Sequence, residues 1–150
     1  MREIIFRGKR TDNGEWVKGY YSAELYSNTH YISAWYYGSY AELQKFEVDP
    51  ETIGQFTGLT DVNGTRIFEG DIVKTHYGNA VKADFVEQVV FFNGIFCTMY
   101  KPNAAACGWY SIIGGPRPIS PTTVYMDRVE VIGNLHDNPE LLNEENTEND

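Results

Sequence analysis

Residues 52–74, TIGQFTGLTDVNGTRIFEGDIVK, decide how this chain is read. Thr52 to Thr57 reads as a strand, Asp61-Val62-Asn63-Gly64 as a tight turn, and Arg66 to Phe68 as the start of the return strand. Asn63-Gly64 supplies the positive φ angles that a short hairpin turn requires and that most L-residues avoid. Glu69-Gly70-Asp71 then redirects the chain into a second apolar strand, Ile72-Val73-Lys74. A glycine between two acids at that corner points to a bulge or a sharp bend.

The same punctuation recurs on both sides. Upstream, Glu3 to Lys9 places Ile4 and Phe6 on one face of a strand and Ile5 and Arg7 on the other. Asn13-Gly14 turns the chain, and Glu15 to Tyr21 returns with Trp16, Lys18 and Tyr20 sharing a face. Downstream, Asp84 to Phe92 and Ile95 to Tyr100 form a hairpin around Asn93-Gly94. Thr29 to Tyr37 reads as another strand. Ala41 to Lys45 reads as a helical turn, and Phe46 to Pro50 as extended chain, because a residue before proline is pushed toward β. Val124 to Met126 and Val129 to Leu135 read as the last strands, followed by a short helical turn with Pro139 at its first position. Residues 101–123 hold four prolines and three glycines and read as loop.

Three Asn-Gly turns, short strands and no long amphipathic helix make the expected fold mainly β, with short helical turns as its α content. Bent antiparallel sheets closing into a small β-barrel are expected, since closure removes exposed strand edges.

Composition agrees with this class. Of the 150 residues 42% are hydrophobic and 22% charged, ordinary for a folded domain. Aromatic content is 15%, from eleven Tyr, eight Phe and three Trp, which suits pleated, half-buried surfaces. Net charge is −9, with four acids and no base in the last eight residues. The acidic balance argues against non-specific nucleic-acid binding, and the apolar-free tail 143–150 reads as disordered. No apolar run approaches the roughly 20 residues of a membrane helix. The first ten residues carry bases on both sides of three apolar ones and no signal-peptide pattern. The expected location is the cytoplasm, without membrane contact, and Cys97 and Cys107 are expected as free thiols.

Three blocks, REIIFRGKRTDNGEWVKGY, TIGQFTGLTDVNGTRIFEGDIVK and VEVIGNLHDNPELL, stand in the order found in the YopX family, which the chain resembles over about residues 1–142. The central block carries most of the resemblance. Ile132-Gly133-Asn134 followed by Asn138-Pro139-Glu140-Leu141 adds a second match. The chain departs from the pattern in the aromatic-rich residues 22–45 and the proline-rich 101–121. The resemblance implies a phage or prophage protein in an infected bacterium and a single domain over 1–142, with an N-terminal β lobe (1–50) and a C-terminal barrel (51–142). The family has no assigned biochemical activity, so the resemblance carries over no catalytic residue and no cofactor.

Four sets of residues are candidates for chemistry or contact. Glu69 and Asp71 flank Gly70 and invite a cation or an acid–base pair, against the plainer role, shared with Asn63 and Gly64, of satisfying backbone donors at turns. His30, His76 and His136 lack metal-ligand spacing. No nucleophile elbow, phosphate loop or dinucleotide fingerprint occurs, so a non-enzyme without cofactor or metal is expected. Arg7, Lys9, Arg10 and Lys18 with Trp16 are candidates for nucleic-acid contact, as a stacking and phosphate surface. Tyr31, Trp35, Tyr36, Tyr37 and Tyr40 lie in a segment, 20–40, that holds seven of the eleven tyrosines. They are candidates for an interaction surface, because Tyr and Trp dominate interface hot spots. The expected partners are a second copy of the chain or a host or phage protein, with nucleic acid as the alternative.

Overall fold

A computed structural model describes residues 1–76, 84–92, 94–99, 117–118 and 129–143. The chain divides into two compact units, Met1–Gly58 and Leu59–Asp150.

The first unit is built from β1 (Phe6–Lys9), β2 (Trp16–Glu24), β3 (Thr29–Tyr37), β4 (Ala41–Val48) and most of β5 (Gly54–Thr60). They belong to one antiparallel sheet of order β4-β3-β2-β1-β5-β6, the last strand being β6 (Arg66–Phe68). The register alternates cleanly. Gly8 lies opposite Val17, Tyr21 opposite Ile32, and Ile32 opposite Phe46, so these residues share one face. That face is the core of the unit: Val17, Ile32 and Val48 are buried, with Phe6, Ala34, Phe46 and Ile53 packed against them. Burial of each aliphatic side chain contributes about 1.5–3 kcal/mol.

The sheet curls around this core far enough that Arg10, just past β1, bridges Val48 at the end of β4. Thr11 N donates to Glu47 O (3.1 Å) and Asp49 N to Lys9 O (2.8 Å) at the same place. A side chain at Gly8 would put its Cβ 3.1 Å from Val48 Cβ and 3.2 Å from Ile32 Cδ1, so the missing side chain lets the curl tighten. This sheet nevertheless does not close, and the barrel expected over residues 51–142 is not found in the second sheet either, which is also open in the described residues. β1 has four residues and the chain turns away at Thr11, so the contact stops at one isolated bridge instead of a ladder. Both sheets have two separate ends in the described residues.

Two local expectations are also corrected. Ala41 to Lys45 is not a helical turn but the first part of β4, paired with β3 from Tyr37↔Ala41 to His30↔Val48. Its residues are good helix formers, and eight consecutive cross-strand pairs outweigh that weak preference. Thr52 is not a strand residue. It ends a 3₁₀ helix, Pro50–Thr52, capped by the Asp49 side chain, which accepts from Glu51 N at 3.0 Å. Thr52 Oγ1 accepts from Lys9 N (2.8 Å) and donates to Asp49 O (2.7 Å), fixing the approach to β5.

The second unit holds the end of β5, β6, and a sheet of order β10-β9-β8-β7-β11. Its strands are β7 (Asp71–His76), β8 (Asp84–Phe92), β9 (Ile95–Met99), β10 (Arg117–Pro118) and β11 (Val129–Asn134). Ile67, Val73, Val89 and Val129 form its core, with Val131 against them. The β8–β9 hairpin turns at Gly94, where φ is +82°. A 3₁₀ helix, Pro139–Leu142, follows β11, with the proline where the sequence places it. No α-helix occurs among the described residues, and no helix there is long and apolar enough to cross a membrane. The expected strand at 124–126, the proline-rich loop apart from β10, Cys107 and the acidic tail beyond Asn143 lie outside the described residues.

Candidate functional site

The residues opposite the core on the first sheet form the candidate site. Register puts Arg7 beside Lys18, Lys9 beside Trp16, Tyr20 beside Ser33 and then Lys45, and Trp35 beside Leu43. Tyr31 and Tyr37 share this outer face, since β3 alternates with period two. Tyr20 is 56% exposed, Trp35 54%, Tyr37 78% and Leu43 50%. Large apolar side chains are normally buried, so four neighbouring ones held this far into solvent are a feature of the face.

Cations are interleaved with the rings. The Arg7 guanidinium stands 4.9 Å from the Trp16 ring centre and Lys9 Nζ 5.5 Å from it. Lys45 Nζ stands 3.8 Å above the Tyr31 ring and 3.6 Å from a Glu24 carboxylate oxygen. Each contact of a cation on an exposed ring contributes on the order of 0.5–1 kcal/mol and fixes where the charge sits.

Two sets of residues that the sequence separates thus meet on one surface. From the basic hairpin come Arg7, Lys9, Trp16 and Lys18, and from the aromatic segment Tyr31, Trp35 and Tyr37. Three candidates go elsewhere. Arg10 lies past β1, where its guanidinium grips Asp12 through Nε (2.9 Å) and Nη2 and stacks 4.4 Å from the Phe46 ring. The hydrogen bond from Arg10 holds the Asp12 carboxyl below its ordinary pKa, and raises that of Arg10. Tyr36 alternates onto the core side of β3, at its exposed end, and Tyr40 sits in the β3–β4 loop, 72% exposed. Lys45 and Leu43 belong to the face but are not legible as such while residues 41–45 are read as a helical turn. The alternation of Glu42, Gln44 and Phe46 against Leu43, Lys45 and Glu47 is the signal that finds them.

The carboxylates of the 52–74 segment have structural partners. Asp61 Oδ1 accepts from Asn63 N (2.9 Å) and Thr65 N (2.8 Å), while its Oδ2 accepts from Val131 N (2.9 Å). Gly64 closes the same turn with φ +79°. Asp71, buried, accepts from Phe68 N at 2.7 Å. Gly70 between it and half-buried Glu69 has φ +87°, donates to Val89 O and accepts from Leu135 N. Asn134 and Asn138 build the turn after β11: Asn134 Oδ1 accepts from His136 N and Asp137 N, and Asn138 N donates to Asn134 O. A Cβ on Gly133 would come within 2.6 Å of Asn138 Oδ1.

His30 and His136 each sit in local surroundings of their own unit, and the His76 side chain lies outside the described residues. His30 Nδ1 lies 2.8 Å from Tyr21 Oη, with the rings stacked at 5.9 Å, and His136 is in the turn after β11. No group of three metal-ligating side chains occurs among the described residues. Cys97 is a buried free thiol whose pKa burial pushes up to about 11. A thiol so protonated is a poor nucleophile.

A family model described as YopX protein matches residues 5–143. The chain belongs to the YopX family. In the central and terminal blocks that resemble the YopX pattern, Asp61, Gly64, Gly70, Asp71, Gly133, Asn134 and Asn138 make turns and corners, while Ile67, Phe68, Ile72 and Val73 are buried. No curated protein matches the sequence. Among solved structures, that of protein EF1440 from Enterococcus faecalis matches this YopX chain with a TM-score of 0.51 at 23% identity. The match covers 95% of this chain and 99% of that one. At that identity the likeness concerns the fold alone.

Proposed function

We propose that this YopX-family chain is a phage- or prophage-encoded accessory protein of the bacterial cytoplasm that acts as a non-enzymatic binding module. Its first partner class is protein, either a second copy or a host or phage protein, held against the outer face of the N-terminal sheet. The observation that carries this reading is the exposure of Trp35, Tyr37 and Leu43 side by side at the β3–β4 edge of that face. Rigid rings with little side-chain entropy to lose are efficient interface anchors. Light scattering on size-separated protein tests it. A mass above the monomer that falls to the monomer in a Trp35→Ser/Tyr37→Ser variant is the expected result for self-association. A monomer at every concentration, with no loss of partner capture in the variant, removes the reading.

A second reading, a nucleic-acid-associated module, is favoured by a separate observation. Arg7, Lys9, Lys18 and Lys45 lie on the same face as the rings although the whole chain is acidic.

A further inference from the structure

We propose that the outer stripe across β1 to β4 binds single-stranded nucleic acid, with Tyr20 and Trp35 as stacking platforms and Arg7, Lys18 and Lys45 as phosphate contacts. The inference rests on the second reading above.

Charge complementarity is its first support. Within the strands this face carries Arg7, Lys9, Lys18 and Lys45 against two acids, Glu24 and Glu47. The local sign is therefore opposite to the net charge of −9. A polyanion is steered by the local field when it reaches within a Debye length of about 8–10 Å. Arg7 lies opposite Lys18, and Lys45 on β4 stands two strand spacings, about 10 Å, from β2, so each cation has another at about that range.

Alternation is the second support. Trp16, Lys18 and Tyr20 project from the same side of β2, about 6.7 Å apart along the strand, in the order ring, cation, ring. Tyr31 lies diagonally across from Tyr20, because Tyr20 pairs with Ser33 and Tyr31 with Ser22. The diagonal of an antiparallel pair spans about 7–8 Å, within reach of two aromatic side chains. A sheet that offers rings at such steps, with cations between them, suits a strand whose bases are splayed from one another. Duplex fits poorly, since its bases are stacked inside and cannot lie on the exposed rings. A peptide of acidic residues alone would use the cations and leave Tyr20 and Trp35 in water.

The face also separates this site from Arg10, which the sequence alone groups with it. Arg10 lies on the other side, bound to Asp12 and stacked on Phe46, and should take no part.

The test is fluorescence anisotropy with a labelled oligothymidylate, its oligouridylate counterpart and a duplex of equal length, at about 50 and 200 mM salt. Single strands should bind more tightly than duplex, and less tightly at the higher salt. Tyr20→Ala and Lys18→Glu should each weaken binding about tenfold, with Lys18→Glu also lowering the salt slope by about one. Arg10→Gln should bind as the unchanged protein does. Far-UV circular dichroism checks that each variant is folded. No binding at the lower salt overturns the proposal, as does unchanged binding by folded Tyr20→Ala and Lys18→Glu. Displacement of the strand by oligoglutamate at equal charge overturns it in favour of an acidic protein partner. Because the oligomeric state is measured separately, loss of strand binding leaves the self-association reading to stand or fall on its own result.

Discussion

Replacing Asp61 by alanine removes one carboxylate and three hydrogen bonds at once. Two of them, from Asn63 N and Thr65 N, hold the turn in shape; the third, from Val131 N, ties the turn to β11 across a separation of 70 residues. Asn63 and Thr65 are exposed, so water replaces much of what their amides lose, and each costs about 1 kcal/mol. Val131 N sits beside the register shift between Val131 and Gly133. A donor left unsatisfied there costs about 1–3 kcal/mol. The expected loss is about 3–5 kcal/mol. Asp61→Asn, which keeps Oδ1 for the turn but presents an amide to Val131 N, should lose about 2 kcal/mol. In urea unfolding followed by circular dichroism, with a slope of about 2 kcal/mol per molar, the alanine variant should shift the midpoint down by roughly 2 M. The asparagine variant should shift it about half as far. Midpoints within about 0.3 M of the unchanged protein for both variants would refute the assignment of Asp61 as the tie between turn and strand.

Other consequences are as direct. At Gly19 an added Cβ would meet Ser33 O at 2.1 Å, a backbone atom that cannot move aside, so Gly19→Ala should cost about 3 kcal/mol or more. At Gly14, where φ is +72° and the space is open, Gly14→Ala should cost only about 1–2 kcal/mol; thermal melts rank the two, and an equal effect would contradict the close approach of β2 to β3. Native Cys97 should react with iodoacetamide at pH 8 roughly a hundredfold more slowly than in the urea-unfolded chain, since its pKa rises from 9.0 to about 11. Because the folded pKa is the higher one, the matching stability is present below about pH 9 and drains away as pH rises toward 11, which denaturant midpoints at pH 8 and 10.5 measure. Asp71→Ala should destabilise by about 2–3 kcal/mol by orphaning the buried Phe68 N, and should leave any partner binding by the outer face intact.

Much of the fold was legible because turn chemistry is local. Asn13-Gly14, Asn63-Gly64 and the Gly94 turn each need a positive φ that glycine supplies cheaply, and strands of alternating residues lie between them. Residues 41–45 misled because Ala-Glu-Leu-Gln-Lys favours a helix in isolation, while the strand partners that override it, Tyr37 back to Ser33, are read only from the pairing. Thr52 misled because a proline and an aspartate cap set up a 3₁₀ turn just before the strand. Short bent strands suggest closure, but each sheet keeps two separate ends in the described residues, and in the first β1 runs out after Lys9.

By itself the sequence determined a β-rich chain with its turns in place, membership in the YopX family, and a segment of unusual aromatic density. These are properties of neighbours along the chain, set by φ preferences and period-two alternation. Only the tertiary structure decided which side of each strand faces outward, because one residue of register exchanges core for surface. That choice joined Arg7 and Lys18 to Tyr20 and Trp35, turned Arg10 away, and committed Asp61 and Asp71 to holding backbone amides.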